Sequence, residues 1–376
     1  MRISRTATNA VIINKNKIKE NIKNIKKHFP YKIISVLKSN AYGLGINNIL
    51  PTIINDVYKV AINSIEEYFE YDLFSYPVDF IILFPEIEKD LIDDVIKYSN
   101  VILNITSLEF LKVLSSFSRN RIKVYLEVDT GMNRTGIKYN ERISLNGNWE
   151  LAGIFTHLKN GNVYDNIEQI SKFFDFIKNN SIYLQGLDVS ILASTGLVNY
   201  EKILNIGDDK IKYVLNISNS VRVGIFQYGI ASSMDYIEFK HKLGLSNSIR
   251  FKVGFLGTKI VKKGETVGYT NTNINSCVID KDKLIGLAYV GYSKLPFCKE
   301  IFFEVITNKR RFITKSIGML SMDVVAFELG NIDFEEEVRE LLVISENIEV
   351  ERQAYNNNLP VYNFLTSFSS IKKYLE

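Results

Sequence analysis

From residue 14 the chain switches repeatedly between two hydrophobic periods. The stretch "NKNKIKENIKNIKKHF" spaces Ile18, Ile22 and Ile25 four and three apart, the repeat of a helix with one apolar face. "KIISVL" follows as a short apolar run of the kind that forms a strand. The same alternation continues through candidate strands "YKVAIN", "VDFIILF", "NVILNI", "RIKVYLEVD", "LAGIFTH", "DVSILAS" and "SVRVGIF". Helical stretches such as "SIEEYFEY", "SLEFLKVLSSF" and "NIEQISKFFDFIK" lie between them. Eight strand–helix units in about 220 residues predict a (β/α)8 TIM-type barrel. An open doubly wound sheet is the competing architecture on strand count alone.

After about residue 235 the helical period fades. "SIRFKVGFLGTKIVKKGETVGYT", "DKLIGLAYVGYS" and "EIFFEVITNKRRFITKSIGML" alternate and turn at Gly, Asn and Lys, which predicts a C-terminal mostly-β domain. The expected division is a strand within residues 1–13 returning to the β domain, a barrel over 14–234 and the β domain over 235–376.

Composition narrows the function classes. A chain of 376 residues is too long for one small core, and its 46% hydrophobic content suits a globular protein. The net charge of +4 is small and spread along the chain, so no basic block points to nucleic acid. Two cysteines, Cys277 and Cys298, make neither a disulfide framework nor a four-ligand metal site, and three histidines argue against a His-rich metal centre. No segment has the ~20 apolar residues of a membrane span, and the first residues lack the roughly 7–15-residue apolar core of a signal peptide. The expectation is a soluble, cytoplasmic protein without a bound metal.

In a barrel the reactive groups stand at the C-terminal ends of the strands. There the sequence places Lys38 after the first strand, Arg134 in the loop after the fifth, His157 after the sixth, Ser194 after the seventh and Arg222, Gly224 and Ile225 at the eighth. The fifth strand puts Tyr125, Glu127 and Asp129 on one face, opposite Val124, Leu126 and Val128. Taken singly, each has an ordinary reading: a rim charge, a structural histidine, a turn serine. Their convergence on one end of one barrel favours chemistry. A lysine nucleophile with a phosphate cradle after strands seven and eight suits pyridoxal 5'-phosphate, held covalently through the lysine.

With those residues in place, the sequence resembles the alanine racemase family, pyridoxal phosphate enzymes of fold type III. "VLKSNAYGLG" resembles the family's cofactor-lysine motif and "DTGMNRTG" its substrate-arginine loop; "GIFTHL", "VRVGIFQYG", "GETVGYT", "VGYS" and "GMLSMD" follow in the family's order. The resemblance implies a role for each matching residue. Lys38 holds the cofactor and is one of two catalytic bases. Tyr42 lies near the cofactor. Arg134 steadies the substrate. His157 hydrogen-bonds Arg222, which donates to the pyridine nitrogen. Ser194, Gly224 and Ile225 cradle the phosphate. Tyr269 is the second base and comes from the other subunit of a homodimer, as do the pocket residues Tyr292 and Met322. A hydrogen-bonded line from Tyr269 through His157 to Arg222 would lower the tyrosine's reluctance to ionise.

The sequence departs from the family at a few positions. Many members carry a lysine, often carbamylated, where Glu127 stands, so Glu127 is expected to pair with Arg134 as a ready-made anion. Ser370 occupies the place of a tyrosine that meets phosphate, and the basic motif that follows it in relatives is absent. Asn40, Ala193 and Lys294 also differ. These departures leave the substrate open. Alanine, for D-alanine supply to the cell wall, is the leading expectation, with serine or other amino acids as the alternative. A non-catalytic cofactor-binding protein and a decarboxylase are the readings from other classes.

Overall fold

The structure, a computed structural model, describes residues 8–117, 122–144, 147–159, 161–269, 277–297, 299–330 and 336–376. Residues 1–7, Arg121, Thr270 and Cys298, each part of a stretch read above, lie outside the described residues. The chain divides into two compact units: Ile22–Ala41 with Leu50–Gln227, and the residues up to Asn21 with Tyr42–Ile49 and Tyr228–Glu376.

The first unit is a ring of parallel strands. We label them β2 (Lys32–Val36), β3 (Lys59–Ile62), β4 (Phe80–Ile82), β5 (Val101–Ile105), β6 (Ile122–Asp129), β8 (Trp149–Thr156), β9 (Asp188–Ser190), β10 (Leu192–Ala193) and β11 (Ser220–Val223), with β1 (Ala10–Ile13) in the other unit and a two-residue β7 (Ile137–Lys138) beside β6. Their order is β10-β11-β2-β3-β4-β5-β6-β8-β9. The two ends of that order are consecutive in the chain. The seventh strand is broken at Ile191; its first half pairs with β8 and its second with β11. Eight strand positions therefore close a (β/α)8 barrel, and the open sheet is excluded because its two edges would be different strands.

These segments become strands because they bury both faces. Every residue of β3, β4 and β5 is buried, which is how a parallel strand covered by helices reads. Helices follow where a capping side chain stands ready: Ser64 accepts from the Glu67 N–H before Ile65–Glu70, Ser107 from the Phe110 N–H before Leu108–Ser115, and Asp208 from the Ile211 N–H before Asp209–Ile217. The strand starts carry an unexpected charge. Lys59 and Asp188 pair at 2.6 Å, and the Tyr125 hydroxyl donates to the same carboxylate oxygen at 2.5 Å.

The second unit is mostly β. A six-stranded sheet runs Arg311–Lys315, Phe302–Thr307, Val338–Ile344, Ile249–Lys252, β1, Lys372–Leu375. The N-terminal strand β1 pairs antiparallel with Ile249–Lys252 and parallel with Lys372–Leu375. A three-stranded sheet of Gly254–Val261, Lys283–Tyr289 and Val325–Glu328 adjoins a core of Val261, Val267, Ile279, Ile285 and Ile317.

Candidate active site

Strand β2 delivers Lys38 as expected, but the chain that follows is unusual. Ser39, Asn40 and Ala41 all hold φ and ψ near +50°, and Tyr42 continues at φ 57°. This is a left-handed helical turn made without glycine. Each such residue costs roughly 1–2 kcal/mol, so the turn persists only where surroundings hold it. Lys38 itself is half-buried. Burial lowers the pKa of its ammonium and the Arg134 guanidinium lowers it further; the carboxylates of Glu67 and Glu127 oppose this only in part. A lysine so placed gives up its proton more readily than an exposed one, and the neutral amine is the form that attacks a carbonyl.

Arg134 rides on a loop folded by Asp129, whose Oδ1 accepts from the N–H groups of Gly131 and Asn133, both at 3.0 Å, while Oδ2 pairs with Lys138 at 2.6 Å. Gly136 ends the loop at φ +100°, and a Cβ there would lie 2.9 Å from the Asp129 nitrogen. The exposed Arg134 guanidinium lies 5.9 Å from the Phe84 ring, and the Lys38 amine lies 6.0 Å from the same ring. Phe84, which sequence reasoning missed, thus stands beside both cations.

Glu127 is buried beneath this loop. It accepts from Asn104 Nδ2 at 2.8 Å and from Thr135 Oγ1 at 2.9 Å. Burial raises its pKa, opposed by those two hydrogen bonds and then by the charges of Arg222 and Arg134. Among the described residues it forms no ion pair with Arg134. The expected pairing is replaced by charge felt without contact, and Asn104 and Thr135 hold the carboxylate instead.

Arg222, buried in β11, reaches back toward β9 and β8. Its Nη1 donates to the Ser190 carbonyl at 2.5 Å and to Ser190 Oγ at 2.8 Å, and its Nη2 to the Thr156 carbonyl at 2.6 Å. Burial lowers its pKa to about 10, still charged at neutral pH. The expected His157–Arg222 hydrogen bond is not formed. Backbone carbonyls, which carry no sequence signature, take the arginine's donors instead. His157 is held by its own carbonyl, which accepts from Gln169 at 3.1 Å. Burial, with the charges of Arg222, Arg134 and Lys38, lowers its ring to about 3, so it is neutral. The expected line from Tyr269 through His157 to Arg222 therefore lacks its His157–Arg222 hydrogen bond. Ser194 follows the β10–β11 pairing of Ala193 with Arg222, which sets it level with Val223, just before Gly224 and Ile225. All three are buried.

The remaining residues belong to the second unit. Tyr42 is buried, with its ring 6.3 Å from Tyr228 and 6.0 Å from Tyr362. Ser370 closes the short turn Ser367–Ser370 and is exposed. Tyr269, Tyr292 and Met322 are exposed by 62%, 50% and 54%. Backbone bonds tie the loops of Tyr292 and Met322 together: the Tyr292 N–H to the Ser321 carbonyl at 3.3 Å and the Ser293 N–H to the Met322 carbonyl at 3.0 Å. Gly268 fits because a Cβ would come within 2.9 Å of the Met319 carbonyl.

The barrel and its contents define a class: a (β/α)8 enzyme with a half-buried lysine, an exposed arginine and a buried arginine at the C-terminal ends of its strands. Residues 13–232 match the family model described as "Alanine racemase, N-terminal domain". Alanine racemase of Borreliella burgdorferi strain ZS7 is 25% identical, over 96% of this chain and 95% of that one. That of Mannheimia succiniciproducens is 29% identical, over 94% of each. The solved structure of alanine racemase from Bartonella henselae with covalently bound pyridoxal phosphate shares the fold, with a TM-score of 0.76 and 20% identity over 98% of this chain and all of that one. The chain belongs to the alanine racemase family and is an amino-acid racemase.

Proposed function

We propose that this protein interconverts L- and D-alanine in the cytoplasm, supplying D-alanine for cell wall, as a homodimer that uses pyridoxal 5'-phosphate held by Lys38. The observation that carries the reading is the half-buried Lys38 just past the C-terminal end of β2, at the start of a left-handed turn, with Arg134 and Lys38 both about 6 Å from the Phe84 ring. The donor set suits the cofactor. Arginine has five N–H donors; three of those on Arg222 are engaged, which leaves others for a ring nitrogen. Ser194, Gly224 and Ile225 lie together where barrels hold phosphate. The relative from Bartonella henselae carries the same cofactor covalently.

When bound, the cofactor withdraws electrons from the substrate's α-carbon and so acidifies its proton. The protein's task is to move that proton between faces. Lys38 Nζ takes or returns it on one face, and Tyr269 of the partner subunit does so through its hydroxyl on the other. Arg134 orients the substrate carboxylate, and Glu127 supplies negative charge behind it. Arg222, always charged, keeps a proton off the ring nitrogen by donating to it. The partner's Tyr292 and the partner's Met322 bound the substrate pocket. The exposure of these three side chains, with the Tyr292 and Met322 loops bonded together and Gly268 packed against Met319, supports a site completed by a second copy.

Borohydride reduction of the purified protein followed by peptide mapping tests this, together with chiral chromatography after incubation with L-alanine. The reduced label is expected on Lys38 and the product is expected to be racemic. A label elsewhere, or no D-alanine, overturns the proposal. The small, exposed Ser370 favours one second reading, a racemase that accepts larger amino acids such as serine. A panel of L-amino acids separates the two.

A further inference from the structure

Glu67 is an anomaly. It sits on the short helix Ile65–Glu70 beside Glu66, yet Glu66 is exposed and Glu67 is buried. Buried carboxylates are normally paired with a cation. Among the described residues Glu67 has no ion pair. Its two oxygens instead accept backbone N–H groups: Oε1 from Asn40 at 2.7 Å and Oε2 from Asn63 at 2.6 Å. Asn63 is the first residue after β3. Asn40 is the middle of the left-handed turn that follows Lys38. One carboxylate therefore ties together the exits of two neighbouring barrel strands, and one of its ligands is the strained turn that carries the reactive lysine.

We propose that Glu67 is the positioning residue of Lys38: by accepting from the Asn40 N–H it holds the left-handed turn and so fixes where the lysine amine stands. The inference rests on the reading of Lys38 as the reactive amine. Of Ser39, Asn40 and Ala41, Asn40 tolerates the left-handed region, but Ser39 and Ala41 disfavour it and have no intrinsic reason to stay there. An anionic acceptor of a turn N–H is among the stronger hydrogen bonds available to do so. The charge also reaches the amine. Lys38 is influenced by Arg134, Glu67 and Glu127, and Glu67 in turn by Glu70 and Lys38. Burial raises the Glu67 pKa, and its two backbone hydrogen bonds oppose that rise.

The test is competitive acetylation of the full-length, cofactor-stripped protein across pH, read lysine by lysine by mass spectrometry. It reports the titration midpoint of Lys38 and its reactivity on the high-pH plateau. In Glu67→Gln the midpoint is expected to fall by about half a unit or more as an attractive charge is lost. The plateau is expected to change roughly tenfold as the turn is released. Glu66→Gln, the exposed neighbour, is the control and should leave both unchanged. Adding Ser39→Gly to Glu67→Gln should bring the plateau back toward wild type, because glycine tolerates the left-handed region. Glu67→Asp keeps the charge but is one methylene shorter, and should leave the midpoint near wild type while still changing the plateau; it decides the matter if Glu67→Gln does not fold. A wild-type midpoint and plateau in both variants, with only the melting temperature lowered, would overturn the positioning role. Failure of the borohydride label to map to Lys38 in the wild type would sink the parent reading instead, and the two failures are thereby told apart.

Discussion

The buried Lys59–Asp188 pair sets up a quantitative prediction. The two side chains are 8% and 4% exposed and 2.6 Å apart, and Tyr125 donates to the same oxygen. Asp188→Asn preserves shape but removes the charge. Among the described carboxylates Lys59 would then keep Asp79, at 4.0 Å and far more open to water, beside the uncharged Tyr58 ring at 4.6 Å. Breaking a buried pair from one side typically costs about 3–5 kcal/mol. For a unit of this size each kcal/mol lowers Tm by about 2–4 °C, so a fall of roughly 6–20 °C is expected. The double variant Lys59→Met/Asp188→Asn removes the orphaned charge along with its partner, and should recover most of that loss. Thermal and urea unfolding followed by circular dichroism would measure all three proteins. The pair raises the Lys59 ammonium above its ordinary 10.5: burial alone would lower it, but the hydrogen bond and charge of Asp188 prevail. Its contribution is therefore complete below pH 10.5 and is lost as pH climbs through the raised value. Asp188→Asn within ~1 kcal/mol of wild type at neutral pH would refute the argument that this charge is trapped. Both residues begin their strands, at the barrel end opposite Lys38, so racemisation below the melting range should be unaffected.

Three further outcomes are expected. His157 is held near 3 against an unfolded value of 6.5, so stability should fall as pH drops from 6.5 toward 3, and His157→Gln should flatten that part of the pH–stability curve in urea titrations. Glu127→Gln removes a buried negative charge near Arg134 while keeping the side chain's shape, and should raise the substrate KM several-fold; an unchanged KM would remove Glu127 from the substrate site. Mixed subunits bearing Lys38→Ala and Tyr269→Phe, each inactive alone, should regain part of the activity through hybrid dimers, and no recovery at all would argue against a shared site.

The barrel was legible because each of its strands is an apolar run bounded by polar turns, and parallel strands buried on both faces leave that signature. The fifth-strand parity was legible too, but not its consequences. Tyr125, Glu127 and Asp129 share a face yet bond to Asp188, to Asn104 and Thr135, and to Lys138 in turn, because height along the barrel changes each neighbour. The partners of Arg222 were invisible for a different reason: two of its three acceptors are backbone carbonyls. The turn after Lys38 escaped notice because left-handed backbone is normally announced by glycine, and Ser39–Tyr42 has none. Glu67 is the instructive case. Ser64 and Glu67 have the spacing of a capping box, in which the glutamate reaches back to the N–H of the capping residue. Here Ser64 does cap the Glu67 N–H, but the Glu67 carboxylate reaches one residue further back, to Asn63, and its other oxygen crosses to Asn40. A rule of local helix chemistry thus places a carboxylate at the end of β3, and the parallel pairing of β2 with β3 turns it toward the lysine turn. The same carboxylate is then both part of a helix start and a support of the candidate active site, which is why a change there should register at Lys38 and not only in the melting temperature.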